Sequence, residues 1–166
     1  RQVEEFLEKY RNEHPQLQQL IFRPGTVLGS ETRNQITGLF LAPRLLAIRG
    51  SDSPFVFIWD QDVVNIIGQG LARQAEGIFN LAGDGALSLR EIAGLLGKPY
   101  RPLPAWLIRT LLRLLKPLGL TQYGPEQLDF LRYRPVLANR RLKEDFGYIP
   151  RYSSREAFLA FLRAQG

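Results

Sequence analysis

The residues best placed to do chemistry form one stretch, Leu20-Ile21-Phe22-Arg23-Pro24-Gly25-Thr26-Val27-Leu28-Gly29. It reads as a buried strand that runs into a Pro-Gly turn and then a loop closed by a second glycine. Pro24 removes one backbone donor, and Gly25 lets another group come close to the backbone. The turn falls at the carboxyl end of the strand, where open α/β sheets bind their ligands. Other reactive side chains are sparse. There is no cysteine, which excludes disulfides and thiolate metal sites, and the single histidine, His14, cannot form a His-based metal site alone. His14 sits beside Pro15 at the end of a polar helix, a solvated position rather than a catalytic one. Asp60 and Asp62 open a helical pattern, where a carboxylate accepts from free helix N–H groups and complements the dipole. That structural role is preferred to catalysis.

The elements that must position this stretch follow from periodicity. Val3, Phe6, Leu7 and Tyr10 fall at helical spacing before Pro15 ends the segment. A strand is expected over 17–23. Residues 35–48 are apolar and mostly helix-like, with Pro43 dividing them. Phe55 to Trp59 is a second strand, followed by a helix with Val63, Ile66, Ile67 and Leu71 on one face. Gly77 to Gly83 is a third strand. Ser88 and Glu91 form a capping box for a helix that stops at Gly97. Tyr100 to Leu103 suggests a short strand, and Pro104 opens the next helix. In that helix Arg109, Arg113 and Lys116 form one stripe and leucines fill most of the rest. A buried helix with one basic edge is preferred there to a helix lying on an anionic membrane. A short helix follows Pro125, Asn139 can cap a helix over 140–146, and Ser153 to Glu156 opens the last helix with a second capping box.

The net charge is +6, which favours an anionic partner, although arginine-rich helices also carry such charge as solvated faces. No apolar run is long enough to span a bilayer. The first residue is Arg1, which enters a helical pattern directly, and no signal peptide is expected before it. The expectation is a piece of a longer, cytoplasmic protein.

Four blocks, in order, carry a family resemblance. They are Phe22 to Gly29, Phe57 to Val63, Ile78 to Gly83 with Ser88 and Glu91, and Leu142 to Pro150. Together they resemble the carboxyl-terminal half of an extended short-chain dehydrogenase/reductase, the NAD-dependent epimerase/dehydratase family. The likeness covers nearly the whole chain. It implies an α/β fold, the C-terminal part of a Rossmann-like doubly wound sheet with a small helical substrate-binding lid. Residues 1–83 would belong to the nucleotide-binding part, including a cofactor-facing loop over 23–35, and residues 84–166 to a mainly helical lid. The family's Gly-x-x-Gly-x-x-Gly turn, which holds a dinucleotide pyrophosphate against a helix N-terminus, is absent from this sequence. So is the Tyr-x-x-x-Lys acid/base pair, whose lysine would lie just before Arg1. No catalytic residue and no metal ligand is therefore assigned.

The resemblance implies NAD or NADP as cofactor of the parent protein. Pro24, Gly25, Thr26 and Val27 would hold the nicotinamide carboxamide, which needs one donor and one acceptor at fixed separation. Asn34, Arg132 and Arg134 would face the substrate, since an arginine fork can bond two phosphate oxygens. Trp59 stands where many relatives have histidine, and 46–57 lacks the glycine-rich, arginine-containing stretch of the nucleotide-sugar epimerases. Both depart from a nucleotide-diphosphate sugar as substrate. The leading expectation is a fragment of an NAD(P)-dependent oxidoreductase or epimerase for a sugar-like or other hydroxylated substrate, inactive alone. Its partners would be the missing amino-terminal half, a small-molecule substrate and a second copy in a homodimer. A non-catalytic dinucleotide-sensing module is the alternative. A nucleic-acid or membrane-surface module is disfavoured, because the arginines are spread over several helices with no reader motif. Missing its sheet partners, the chain should expose apolar surface.

Overall fold

The computed structural model describes residues 2–43, 45, 47–51, 54–115 and 136–165. In chain order these give α1 (Gln2–Glu13), β1 (Leu20–Pro24), β2 (Thr26–Leu28), α2 (Gln35–Leu41), β3 (Ala47–Ile48), β4 (Phe57–Trp59) and α3 (Asp60–Ala72). There follow β5 (Gly77–Leu81), α4 (Leu89–Leu95), β6 (Pro102–Leu103), α5 (Ala105–Leu115), α6 (Arg140–Glu144) and α7 (Ser154–Gln165). Every strand pair is parallel: β1 with β5, β2 with β4, and β3 with β6. The only antiparallel contact among the described residues is a bridge from Phe55 to Leu87. Parallel strands need helical crossovers and two covered faces, so they read as continuous apolar runs such as Gly77 to Leu81.

The expected Pro-Gly turn is not a turn. β1 and β2 run on as nearly one strand that changes neighbours at Gly25. The Gly25 N–H donates to the Leu81 carbonyl at 2.9 Å, and the next N–H, from Thr26, donates to the Val56 carbonyl at 2.9 Å. A Cβ on residue 25 would lie 2.9 Å from the Val56 oxygen and 3.0 Å from a Val56 methyl carbon, so glycine is what lets the two strands meet there. The loop begins only after Leu28.

Two apolar cores flank this strand. One joins α2, β4 and α7 through Phe40, Phe55, Phe57, Phe158 and Phe161, with Phe40 set edge-on to Phe55, Phe57 and Phe158. Each such buried ring contributes about 2–3 kcal/mol of transfer free energy. The other joins Ile58, Ile66, Phe79, Leu81, Leu142 and Phe146. The helix over 35–48 stops at Leu41 because Pro43 cannot continue it and disfavours helical geometry just before it. The Lys98 ammonium donates to the carbonyls of Phe40 and Ala42, closing that helix end with a positive charge. Both expected capping boxes are present, Ser88 with Glu91 and Ser153 with Glu156.

Two helix faces differ from the pattern read in sequence. α1 leaves Val3, Phe6 and Tyr10 exposed. Polar ties hold it instead, Arg23 to both carboxylate oxygens of Glu4 at 2.6 and 2.8 Å and Gln19 to the Leu7 carbonyl. α3 buries Asp62, Ile66 and Gly70, while Val64, Ile67 and Leu71 face out. The face turns because Asp62 goes inward. It is only 2% exposed and accepts from the Tyr148 hydroxyl at 2.8 Å and from the Arg151 N–H at 3.1 and 3.2 Å. A helix-opening residue thus pins a turn almost ninety residues later in the chain. We predict that Asp62→Ala destabilises the protein by about 3 kcal/mol and Tyr148→Phe by about 1 kcal/mol, because the first strands two donors and the second removes one bond. Urea unfolding of the intact protein measures both.

Candidate functional site

The C-terminal end of β2 opens into a short loop, and its geometry is set by two residues. Asn34 begins α2. Its Oδ1 accepts from the Ile36 and Thr37 N–H groups, both at 2.9 Å, and its Nδ2 donates to the Val27 carbonyl at 3.0 Å. The Asn34 N–H in turn donates to the Thr37 hydroxyl oxygen at 2.9 Å, completing a capping box that the sequence reading had not assigned. Asn34 therefore fastens α2 to β2. Its side-chain carbonyl oxygen is already used by the helix.

Asp60 is the second. Trp59 holds the N-cap position of α3 and makes no side-chain cap there. Asp60, the first helical residue, accepts from the Gln61 N–H at 2.7 Å. A Cβ on Gly29 would overlap the other Asp60 carboxylate oxygen and lie 2.6 Å from the Thr32 hydroxyl. The carboxylate rests on the bare Gly29 backbone, at the mouth of the loop. The far end of the chain reaches the same loop, where Gln165 donates to the Ser30 carbonyl at 3.1 Å.

The backbone of the four expected cofactor contacts is partly spoken for. Pro24 has no N–H, and those of Gly25 and Thr26 serve Leu81 and Val56. Thr26 and Leu28 face β4, so the alternation of a strand turns the Val27 N–H away from it. By the same alternation the Pro24 carbonyl points away from β5. Arg132 and Arg134 lie outside the described residues.

The β5 end is closed by a polar knot. Asn139, which precedes α6, makes no side-chain cap as expected from its position. It donates instead to the Ala82 carbonyl at 2.8 Å and to Asp84 at 2.9 Å. Lys143 also reaches Asp84 at 2.8 Å. Ser154, fully buried, accepts from the Phe57 N–H at 3.1 Å and lies 2.9 Å from the Gly85 carbonyl, to which it donates. A Cβ on Gly83 would come within 2.5 Å of the Tyr152 carbonyl, so α7 packs directly on that backbone. None of these ties was legible in the sequence; the buried Asn139 and Ser154 carried no local signal. Among the described residues no group of three or more His, Cys, Asp or Glu side chains is arranged to hold a metal.

No family model matches the chain. An uncharacterized protein of Mycobacterium tuberculosis is 23% identical over 164 residues, which is 99% of this chain and 44% of that protein. Among solved structures, UDP-glucose 4-epimerase from Thermotoga maritima, with UDP-glucose, superposes with a TM-score of 0.60 at 16% identity, over 99% of this chain and 50% of that one. A human epimerase family protein with NADPH gives 0.62 at 22% identity, over 86% and 47%. dTDP-glucose 4,6-dehydratase from Bacillus anthracis, in complex with NAD, gives 0.61 at 13% identity, over 95% and 47%. The chain spans about half the length of the proteins it matches. It has the mixed α/β fold of these Rossmann-like chains, with parallel strands and flanking helices.

Two predictions follow from the geometry. Gly25→Ala should cost about 1–3 kcal/mol, because the Val56 carbonyl is backbone and cannot swing aside. Gly85→Ala, with open space but φ +74, should cost only about 1 kcal/mol of backbone strain. Thermal unfolding of both variants separates these cases. The second concerns Asp84, whose pKa is lowered first by the Lys143 hydrogen bond and then by that from Asn139. Its contribution is complete above the ordinary carboxylate range and is lost as pH falls through the lowered value. Asp84→Asn should therefore make the acid limb of the stability–pH curve shallower. Urea midpoints measured from neutral pH downward test this.

Proposed function

We propose that this chain forms the nicotinamide-side wall and the substrate lid of an NAD(P)-dependent oxidoreductase or epimerase acting on a sugar-like or other hydroxylated substrate. The observation that carries the reading is the change of strand partner at Gly25. It leaves the Val27 N–H outside the ladder that engages Thr26, at the carboxyl end of a parallel pair, while the Pro24 carbonyl lies on the opposite edge of the strand. A carboxamide oxygen can accept from such a donor. The Val27 N–H thus suits that group, and Asn34 holds the carbonyl of the same residue.

A bound nicotinamide would supply hydride transfer at its C4. This chain's own part is to orient that ring and to cover the substrate, with Asn34, Arg132 and Arg134 on the substrate side. It holds no Tyr-x-x-x-Lys and no Gly-x-x-Gly-x-x-Gly, so proton transfer and the pyrophosphate cradle would come from outside it. A sensing module that binds the dinucleotide without turnover is the second reading, favoured by the lack of an acid/base pair in these residues.

The test is incubation of the intact protein with NAD and a panel of sugars, sugar nucleotides and other secondary alcohols, following reduced-nicotinamide absorbance on the protein. Reduction by one substrate class supports the enzyme. Tight dinucleotide binding with no reduction across the panel supports the sensor, and absence of any dinucleotide binding refutes both. Asn34→Ala, which costs about 1 kcal/mol at the cap, should weaken dinucleotide binding by about fivefold without unfolding the protein. Isothermal titration measures it.

A further inference from the structure

Two stretches of this chain carry basic residues and no acidic ones. From Thr32 to Ser51 there is no acidic residue, while Arg33, Arg44 and Arg49 are present; between Glu91 and Glu126 there is again none, while Lys98, Arg101, Arg109, Arg113 and Lys116 are. These basic residues exceed the net charge of +6, so the rest of the chain is net negative. Arg44 and Lys116 lie outside the described residues; the fold brings the described parts of the two stretches together. β3 from the first pairs with β6 from the second, the Arg49 N–H donates to the Leu103 carbonyl at 2.8 Å, and Ile48 packs on Ile108 and Leu112 of α5.

α5 rests on this corner by a narrow stripe. Ile108 and Leu112 are buried, and Ala105 packs beside them. The sequence reading preferred a buried helix with a basic edge; the structure instead leaves much of its apolar surface outside. Trp106 is 68% exposed, Leu111 46% and Leu114 62%, with Leu107 also exposed. Leu107, Leu111 and Leu114 fall on one face, at spacings of four and three residues. Thr110 lies next to Leu114 round the helix, and Trp106 and Arg113 come beyond it on the same side.

We propose that this face of α5 docks on the surface of an anionic lipid bilayer. The leucines enter the boundary between headgroups and acyl chains, Trp106 sits at the interface, and the basic corner is drawn to negative headgroups. This is contact with a surface; no described helix is long and apolar enough to cross a membrane. A nucleic acid would use the basic residues but give the leucines nothing to bury against. A second copy would set two basic corners against each other. Lipid satisfies both halves of the face.

The test uses the intact protein and two vesicle preparations, phosphatidylcholine alone and one part phosphatidylglycerol to two parts phosphatidylcholine. Sedimentation with the anionic vesicles only, weakened by salt, is expected. Leu111→Ser with Leu114→Ser, and separately Arg101→Gln with Arg113→Gln, should each lower vesicle binding by about tenfold, with thermal unfolding unchanged. In a Trp59→Phe background, Trp106 fluorescence should shift to the blue on anionic vesicles. Absence of sedimentation with either vesicle overturns the proposal. So does DNA binding lost with the arginine pair when vesicles do not bind. Loss of a dimer in light scattering as the sole effect of the serine pair overturns it in favour of a second copy.

Discussion

The arrangement depends on one close approach, the meeting of the Gly25 backbone with the Val56 carbonyl. Consecutive N–H groups of any strand point to opposite edges, and here that of Gly25 serves Leu81 while that of Thr26 serves Val56. What the absence of a Cβ adds is room for the Val56 carbonyl to lie against residue 25. The two cores then fall on either side of the junction, one built on Phe57 and the other on Ile58 and Phe79. The loop that follows Leu28 inherits its position from that crossing. Asn34 and Asp60 only trim it, one by holding a carbonyl and the other by resting on Gly29.

The second constraint is the return of the carboxyl-terminal segments onto the strands. Asp62, Asn139 and Ser154 are buried or nearly so, and each is hydrogen-bonded across a long sequence separation. A buried polar group without partners is costly, so such ties hold a single arrangement of α3, α6 and α7 more firmly than apolar contact alone. The corner of β3, β6 and α5 is different. It is held by a few apolar residues and draws on two stretches that carry basic residues and no acidic ones, which is why its exposed leucines have meaning beyond packing.

What was legible in the sequence was local. The capping boxes at Ser88 and Ser153 were read correctly because the partner lies three residues away. The strands observed at Leu20–Pro24, Phe57–Trp59 and Gly77–Leu81 were read from apolar runs as 17–23, 55–59 and 77–83, since both faces of a parallel strand are covered. The turn expected at Pro24-Gly25 was wrong, because the strand's continuation is decided by Val56 and Leu81, far away in sequence. The face of α3 was misjudged for a similar reason: a buried aspartate looks like a capping residue until Tyr148 and Arg151 are placed beside it. Asn139 had the right position for a cap, yet a nearby carbonyl and carboxylate made better acceptors for its amide. The resemblance to half of an epimerase/dehydratase chain supplied the fold, and solved chains of that kind share it over about half their length. The residues that would face a cofactor were named from the family resemblance, and their backbones differ in the structure: two have their N–H groups bound into the sheet, and Val27 is the one whose N–H turns away from β4.

Amide NMR of the intact protein during titration with NAD tests this most directly. The account predicts that the Val27 amide shifts strongly on binding, while those of Gly25 and Thr26, bonded to Leu81 and Val56, move little. Saturable NAD binding with the Val27 amide unmoved would contradict it and place the dinucleotide elsewhere on the protein.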